Sequence, residues 1–260
     1  MKMKKCILIP ARMNSTRLPR KPLQLIQGKA MIQWVYENMR ELPKEDFDVF
    51  VVTDSEEIGN VIEEIKGKVL MVTDDVPTGT ERIAIAYKRL LKSARDCYSL
   101  VINVQGDEPL LRAKLVEDLA AFHEKSFFDI TTLYKIKMGD REAFYNSSTV
   151  KIALQESNGT CHYFSRSPIP YYQHKMDQDF SMKWFQHVGV YSYLPQVLEK
   201  FVTLPQSPLE LAESLEQLRA IENGISIGAK MVDGKWEIRG VDTHEDLEKV
   251  SQILKLIKLS

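Results

Sequence analysis

Four cations, Arg12, Arg17, Arg20 and Lys21, fall within ten residues of the segment 10–22, Pro-Ala-Arg-Met-Asn-Ser-Thr-Arg-Leu-Pro-Arg-Lys-Pro. The segment follows an apolar run of strand character, Cys6-Ile-Leu-Ile9. A strand that empties into a cationic, turn-rich loop suits phosphates, because small residues let backbone N–H groups approach and the cations neutralise the charge. A solvated basic turn has the same composition. Position favours the phosphate reading, since the cations lie just past the carboxyl end of a first strand, where open α/β sheets bind ligands. Two carboxylates extend the chemistry. Asp107 lies in Asn103-Val-Gln-Gly-Asp-Glu-Pro109, after the apolar Leu100-Val-Ile102, and Gly106 permits a tight turn that would lift Asp107 to the same rim. Asp242 lies in Arg239-Gly-Val-Asp-Thr243, just before a helix start. Taken singly, Asp107 is a turn residue and Asp242 a charge complementing a helix dipole. Taken with the loop, they point to Mg2+, which prefers oxygen ligands and shares them with substrate phosphates.

These residues need a scaffold, and the first half of the chain supplies an alternating one. Strand-like runs at 5–9, 48–53, 68–72, 98–104 and 128–135 are separated by helical patterns near 31–41, 55–66, 80–93 and 112–125. In the third of these, Ile83, Ala86, Tyr87 and Leu90 recur at helical spacing. This rhythm implies an α/β protein with a parallel sheet and helices on both faces. The second half is less regular. Residues 149–154 and 184–193 read as strands, and the Pro- and aromatic-rich segment Tyr163–Tyr172, with the polar 173–183, reads as an excursion from the main sheet. A helix follows, with Ser207 as N-cap, Pro208 in the first turn and Glu210 completing a capping box. Leu211, Leu215, Leu218 and Ile221 are its expected buried stripe, and Gly224 its stop. The last helix is expected from Thr243, with Asp246 in the capping-box position and Leu247, Val250, Leu254 and Ile257 facing the core. With no internal repeat or low-complexity tract, one domain over 1–260 is expected, with about 160–195 as a sub-region.

Composition narrows the function classes. The 260 residues carry 35 Lys and Arg against 36 Asp and Glu, a net charge of −1, so nothing global attracts nucleic acid or an anionic membrane. The N-terminal apolar run is too short for a signal peptide, and no run is long enough to span a bilayer. Membrane insertion and nucleic-acid binding are therefore not expected, and the cytoplasm is the simplest compartment. Cys6, Cys97 and Cys161 form no C-x-x-C and read as buried small hydrophobes. The P-loop, the G-x-G-x-x-G fingerprint and the G-x-S-x-G elbow are all missing. Cations and metal-type aspartates without a nucleophile motif point to phosphoryl or nucleotidyl transfer, where positioning and charge neutralisation do most of the catalysis.

Eight blocks then carry a resemblance. They are Pro10-Ala-Arg-Met-Asn-Ser-Thr-Arg-Leu-Pro19, Lys21-Pro-Leu23, Thr78-Gly-Thr-Glu-Arg82, Asn103-Val-Gln-Gly-Asp-Glu-Pro109, Tyr163-Phe-Ser-Arg166, His187-Val-Gly-Val-Tyr191, Leu215-Glu-Gln-Leu-Arg219 and Gly240-Val-Asp-Thr243. In content and order the set resembles the 3-deoxy-manno-octulosonate (Kdo) cytidylyltransferases, over nearly the whole chain. The resemblance implies a Rossmann-like nucleotide-diphospho-sugar transferase fold, Mg2+ dependence and a homodimer. It also implies the reaction CTP + Kdo → CMP-Kdo + pyrophosphate, which feeds lipopolysaccharide synthesis, with CTP and an acidic 2-keto sugar as partners. The region at about 160–195 becomes a sugar-binding and dimerisation sub-region.

Chemistry and resemblance together assign roles. Arg12, Ser15, Arg17 and Lys21 would grip the triphosphate, with Arg12 and Lys21 nearest the leaving pyrophosphate. Thr78, Gly79 and Arg82 match the block near the nucleoside. Asp107 and Asp242 would hold Mg2+, making Arg12, Lys21, Asp107 and Asp242 the expected catalytic set. Arg166 suits the sugar carboxylate, which a guanidinium binds in a bidentate way. Gln105, His187, Tyr191, Glu216 and Gln217 match sugar-site positions. Each has a plainer alternative: His187 and Tyr191 as core or interface residues, Glu216 and Gln217 as a solvated helix face, Arg166 as a surface ion-pair partner. The chain departs from the family pattern at Arg20, where glycine is usual, at Thr78 for serine and at Ala30 for proline. It also departs around 170–183 and at 230–237, an altered or longer connection. These departures keep 8-amino-Kdo or a nonulosonic acid open as the sugar. A sugar-1-phosphate nucleotidyltransferase and a non-catalytic binding protein are the remaining readings.

Overall fold

The computed structural model describes residues 3–259 apart from 14, 16, 77, 94–97, 174–180 and 235. Cys97 therefore lies outside the described residues, as does most of the expected polar loop at 173–183. By internal packing the chain divides into two compact units, Met1–Asp118 with Glu237–Ser260, and Leu119–Trp236.

The first unit opens with β1 (Lys5–Ala11), a 3-10 turn at Lys21–Leu23, and the small hairpin β2 (Leu25–Ile26) and β3 (Lys29–Ala30). It continues through α1 (Met31–Met39), β4 (Phe47–Thr53), α2 (Glu56–Glu64), β5 (Val69–Met71), α3 (Gly79–Ser93) and β6 (Leu100–Asn103) to α4 (Ala113–Lys125), within which the boundary falls. Its sheet runs β5-β4-β1-β6 and every pairing is parallel. β1 explains why: Cys6, Ile7, Leu8 and Ile9 are all fully buried, the continuous apolar run of a strand covered on both faces.

The second unit contains β7 (Ile130–Met138), α5 (Arg141–Tyr145), β8 (Lys151–Gln155), β9 (Thr160–Ser165), β10 (Lys183–Tyr193), α6 (Pro195–Phe201), α7 (Pro208–Glu213), α8 (Gln217–Glu222) and β11 (Ile227–Met231). The strands run β10-β7-β11-β9-β8, and β8 also pairs with β10, so the order closes on itself. Among its described strands, β7 and β11 alone pair in parallel and the other pairings are antiparallel. The expected mostly parallel sheet thus holds in the first unit and not in the second, where a short turn such as that joining β8 to β9 permits only antiparallel neighbours. Residues 163–165, expected in an excursion, belong to a strand of this sheet, β9, and the expected 230–237 connection begins inside β11.

The expected single helix after Ser207 is two. α7 stops because Ser214 takes a left-handed conformation, φ 51°, and α8 starts afresh at Gln217. The helical register is lost there, so Leu215 and Leu218 are buried while Leu211 is 62% exposed and Ile221 half-buried. The Ser207 N–H donates to the Glu210 carboxylate at 3.1 Å, one half of the expected capping box. The chain then returns to the first unit with α9 (His244–Leu259). Its N-terminus is boxed as expected: Asp246 N–H donates to Thr243 Oγ1 at 3.2 Å, and Thr243 N–H to Asp246 Oδ2 at 3.1 Å. Val250 and Leu254 join a buried cluster with Leu18, Ile26, Met31, Trp34, Leu110 and Val241, and Leu247 packs against it. Ile257, expected in the same face, lies one turn beyond that cluster and is 42% exposed.

Two predictions follow from the second unit's packing. A Cβ on Gly228 would lie 2.1 Å from the Phe128 ring. Gly228→Ala should therefore destabilise the protein by about 1–3 kcal/mol, read from the urea midpoint. His123 is buried, its Nδ1 2.8 Å from Ser192 Oγ and its Nε2 3.1 Å from the Phe128 carbonyl oxygen. Burial lowers its pKa from 6.5 to about 4, against smaller opposing effects of the Phe128 carbonyl, Asp129 and Glu124. The unfolded chain takes up a proton near pH 6.5 that the native site refuses. The stabilisation is complete above that pH and lost as pH falls towards 4. His123→Gln should flatten the fall of stability across this window by at most about 1.4 kcal/mol per pH unit.

Candidate active site

The loop after β1 is held by its own apolar residue. Leu18 is fully buried in the cluster beneath it, and its N–H donates to Ser15 Oγ at 3.3 Å. Arg20 then takes a left-handed conformation, φ 53°, and starts the 3-10 turn in which Pro22 is buried. This backbone gives a physical reason for a glycine at that position, since L residues are strained there. The Arg20 side chain pairs with Glu57 on α2. Across the loop, Gly106 makes the turn after β6 possible: a Cβ there would lie 2.8 Å from the Pro10 carbonyl oxygen.

The turn also carries Asp107, whose carbonyl accepts the Val241 N–H at 2.9 Å. Val241 is itself fully buried in the cluster, so the next residue, Asp242, is fixed beside Asp107. Lys21 Nζ lies between them, 2.5 Å from Asp107 Oδ2 and 2.9 Å from Asp242 Oδ1, and Arg17 reaches the other Asp242 oxygen at 3.2 Å. Burial alone would lower the Lys21 pKa; the charges and hydrogen bonds of Asp107 and Asp242 outweigh it and raise it, so the ammonium stays charged.

The opposite wall is the start of α3. The Glu81 N–H donates to Thr78 Oγ1 at 3.1 Å, and Gly79 sits so close to Pro10 that a Cβ would meet its ring at 3.3 Å. Arg82 is almost fully buried, donating to the Val72 carbonyl at 2.5 Å and pairing with Asp54 at 2.9 Å. Its role in the geometry is to anchor the α3 start to the ends of β4 and β5. Asp54 was not singled out from sequence, although its place just past β4 is the same strand-end signal that marks the first loop.

A cavity of about 360 Å³ lies among these groups. Arg12, Ser15, Arg17, Lys21, Thr78, Gly79 and Arg82, the whole expected nucleotide set, line it together with Gln105, Asp107 and Asp242. Gln105, expected at the sugar, thus belongs to the same lining. Among the described residues no three His, Cys, Asp or Glu side chains cluster as a metal site. Two carboxylates converging on one cationic point nevertheless fit Mg2+, which takes one or two carboxylates and completes its shell with substrate phosphates and water.

The other expected sugar residues lie in the second unit. His187 and Tyr191 are on β10, their rings 5.4 Å apart, with Phe164 edge-on to His187 at 5.0 Å. A break in register between Val188 and Tyr191 lets Thr132 Oγ1 lie 2.9 Å from His187 Nε2. Burial pushes the His187 pKa down to about 3. Burial, then Tyr193 and Glu216, push the Tyr191 phenol well up. Both rings are therefore neutral hydrogen-bonding groups, and the Glu216 charge is felt at Tyr191. Gln217 is buried, and its amide nitrogen has no hydrogen-bond partner among the described residues. Arg166, expected to meet a carboxylate, donates from all three guanidinium nitrogens to main-chain carbonyls, those of Glu213, Ser147 and Ser214. Glu213 and the buried pair Glu210–Arg219, 2.5 Å apart, were not read as functional from sequence. An acid and a base nine residues apart carry no periodic signal once the helix between them is broken.

Comparison with known proteins agrees with this geometry. The cytidylyltransferase family model matches residues 6–227. A 3-deoxy-manno-octulosonate cytidylyltransferase of Thermodesulfovibrio yellowstonii is 41% identical over 95% of this chain and 96% of its own. That of Rickettsia prowazekii is 39% identical over 96% and 95%. A solved CMP:2-keto-3-deoxy-manno-octonic acid synthetase in complex with CTP superposes with a TM-score of 0.84 at 35% identity, covering 97% of this chain and 99% of that one. A Leptospira borgpetersenii cytidylyltransferase, at 17% identity and a TM-score of 0.62, shares the fold. A strand-end loop of cations facing two aspartates, at this identity over nearly full length, has one reading: the chain belongs to the 3-deoxy-manno-octulosonate cytidylyltransferase family.

Proposed function

We propose that the chain is a magnesium-dependent cytidylyltransferase that activates an acidic 2-keto sugar, Kdo or a close relative, at the expense of CTP. The anomeric hydroxyl oxygen attacks the α-phosphorus of CTP, and the bond from that phosphorus to the oxygen leading to the β-phosphate breaks. The hydroxyl proton passes to solvent and pyrophosphate leaves. The observation that carries this reading is the convergence of Lys21, Asp107 and Asp242 in a cavity lined by the cationic loop. Arg12, Ser15 and Arg17 hold the triphosphate, and the charged Lys21 neutralises the oxygens of the departing pyrophosphate. Thr78 and Gly79 present the start of α3 to the nucleotide, and Arg82 keeps that start in place. Asp107 and Asp242 would hold Mg2+. When bound, the ion supplies charge neutralisation at the phosphate and orientation of the attacking oxygen.

Arg166 meets the sugar carboxylate, and Gln105, His187, Tyr191, Glu216 and Gln217 meet its hydroxyls. The neutral state of His187 and Tyr191 supports hydroxyl recognition, which needs donors and acceptors rather than charge. The resemblance further supports a Rossmann-like nucleotide-diphospho-sugar transferase fold organised as a single domain, a homodimer, and a cytoplasmic place in lipopolysaccharide synthesis. No helix among the described residues is long and apolar enough to cross a membrane.

The test is pyrophosphate release with CTP against UTP, ATP and GTP, and with Kdo against other 2-keto sugar acids. Turnover should require CTP, an acidic 2-keto sugar and Mg2+; equal rates with the other nucleotides would overturn the assignment. Asp107→Asn should keep nucleotide binding and lower kcat by about 10²–10³, the usual loss for one preorganised charge contact. In the loop, Arg12→Ala and Lys21→Ala should be nearly inactive while Arg20→Gly retains activity, because Arg20 points to Glu57 and glycine suits its φ. Equal losses in all three would remove the distinction drawn between these cations.

A further inference from the structure

We infer that the break between α7 and α8 is a seat for Arg166, and that Glu213 is the positioning residue that makes Arg166 select a sugar carboxylate. The inference rests on the proposed reading in which Arg166 meets that carboxylate. It adds the residues that hold the guanidinium, none of which was expected to act on the sugar.

A continuous helix over 208–222 would tie the carbonyls of Glu213 and Ser214 to N–H groups four residues on. The left-handed Ser214 stops the helix and leaves those carbonyls to another donor. Arg166 takes both: Nε donates to Glu213 O at 2.8 Å and one terminal nitrogen to Ser214 O at 3.3 Å, while the other donates to Ser147 O at 3.0 Å. Partial negative charge collects at carbonyls that end a helix, so a cation belongs there.

The Glu213 side chain grips the same residue from its other end. One carboxylate oxygen accepts the Arg166 N–H at 2.9 Å; the other accepts from Ser165 Oγ at 2.6 Å and from Tyr163 at 3.3 Å. The Arg166 carbonyl is also taken, by the fully buried Lys151 ammonium at 2.6 Å. Arg166 is thus held at its N–H, at its carbonyl and at each guanidinium nitrogen. A guanidinium has five N–H groups. One N–H remains on each terminal nitrogen, the pair a carboxylate can accept in bidentate fashion. Glu213, Lys151 and Arg166 together carry one net positive charge, which matches a carboxylate better than a phosphate dianion.

The test compares the sugar acid with its neutral carboxamide as acceptors, with CTP held constant. Glu213→Gln keeps the size but removes the negative charge and one of the two acceptor oxygens that hold Arg166, Ser165 and Tyr163 together. It should raise the KM for the acid by about tenfold or more, leave the KM for CTP within about twofold, and shrink the acid-over-amide preference. Ser214→Gly, free to keep the left-handed turn, should behave as wild type. Ser214→Ile, whose β-branch resists that turn, should behave as Glu213→Gln. A merely structural role would not separate glycine from isoleucine in the acid-over-amide ratio. Should Ser214→Ile fail to fold, Glu213→Gln decides. If Glu213→Gln keeps the wild-type ratio and sugar KM while Arg166→Ala loses them, the inference is overturned and the carboxylate reading survives. If Arg166→Ala keeps the ratio, that reading itself fails and the seat has no sugar to select.

Discussion

One ammonium group holds together the charged rim of the first unit's cavity. Lys21 is drawn between Asp107 and Asp242, residues contributed by three separated stretches of chain. Two carboxylates brought this close repel unless a cation stands between them. The apolar cluster makes the approach possible. Leu18 under the loop, Leu110 after the Asp107 turn and Val241 before Asp242 are buried in the same place, so each charged residue is carried in by a hydrophobic neighbour close to it in sequence. The Val241 bond to the Asp107 carbonyl and the bare face of Gly106 then set the fine spacing. Burial supplies the free energy of assembly, and the charges determine what the assembled cavity can hold.

The second unit uses the opposite electrostatics. His123, His187 and Tyr191 are all driven by burial towards their neutral forms. Two groups of charges there are multiply bonded, the Glu210–Arg219 pair and those around Arg166.

Much of this was legible in the chain. The parallel strands of the first unit announce themselves as unbroken apolar runs, and the cationic loop, Asp107 and Asp242 were identified from position at strand ends. The residues expected at the nucleotide line one cavity. What escaped depends on backbone conformations that non-glycine residues rarely adopt. Nothing in Ser214 signals a left-handed turn, so the leucine stripe reads as one helix, and the exposed Leu211 and the carbonyls freed for Arg166 go unseen. Arg20 hides its turn in the same way. The antiparallel closure of the second unit is equally silent, because strand-like runs state that they pair but not with which neighbour or in which direction.

The first unit is discontinuous: β1, the loop and Asp107 precede the second unit in the chain, while Val241, Asp242 and α9 follow it. On the ribosome the chain emerges from its N-terminus. The nascent protein therefore exposes its cations and one aspartate long before their last partner is made. The Leu18 side of the apolar cluster must wait for Val241, Val250 and Leu254 to cover it. Completion of the cavity consequently waits for a late stretch of chain, and a chain interrupted between residues 232 and 241 has built the described strands of both units without Asp242 or the helix that follows it.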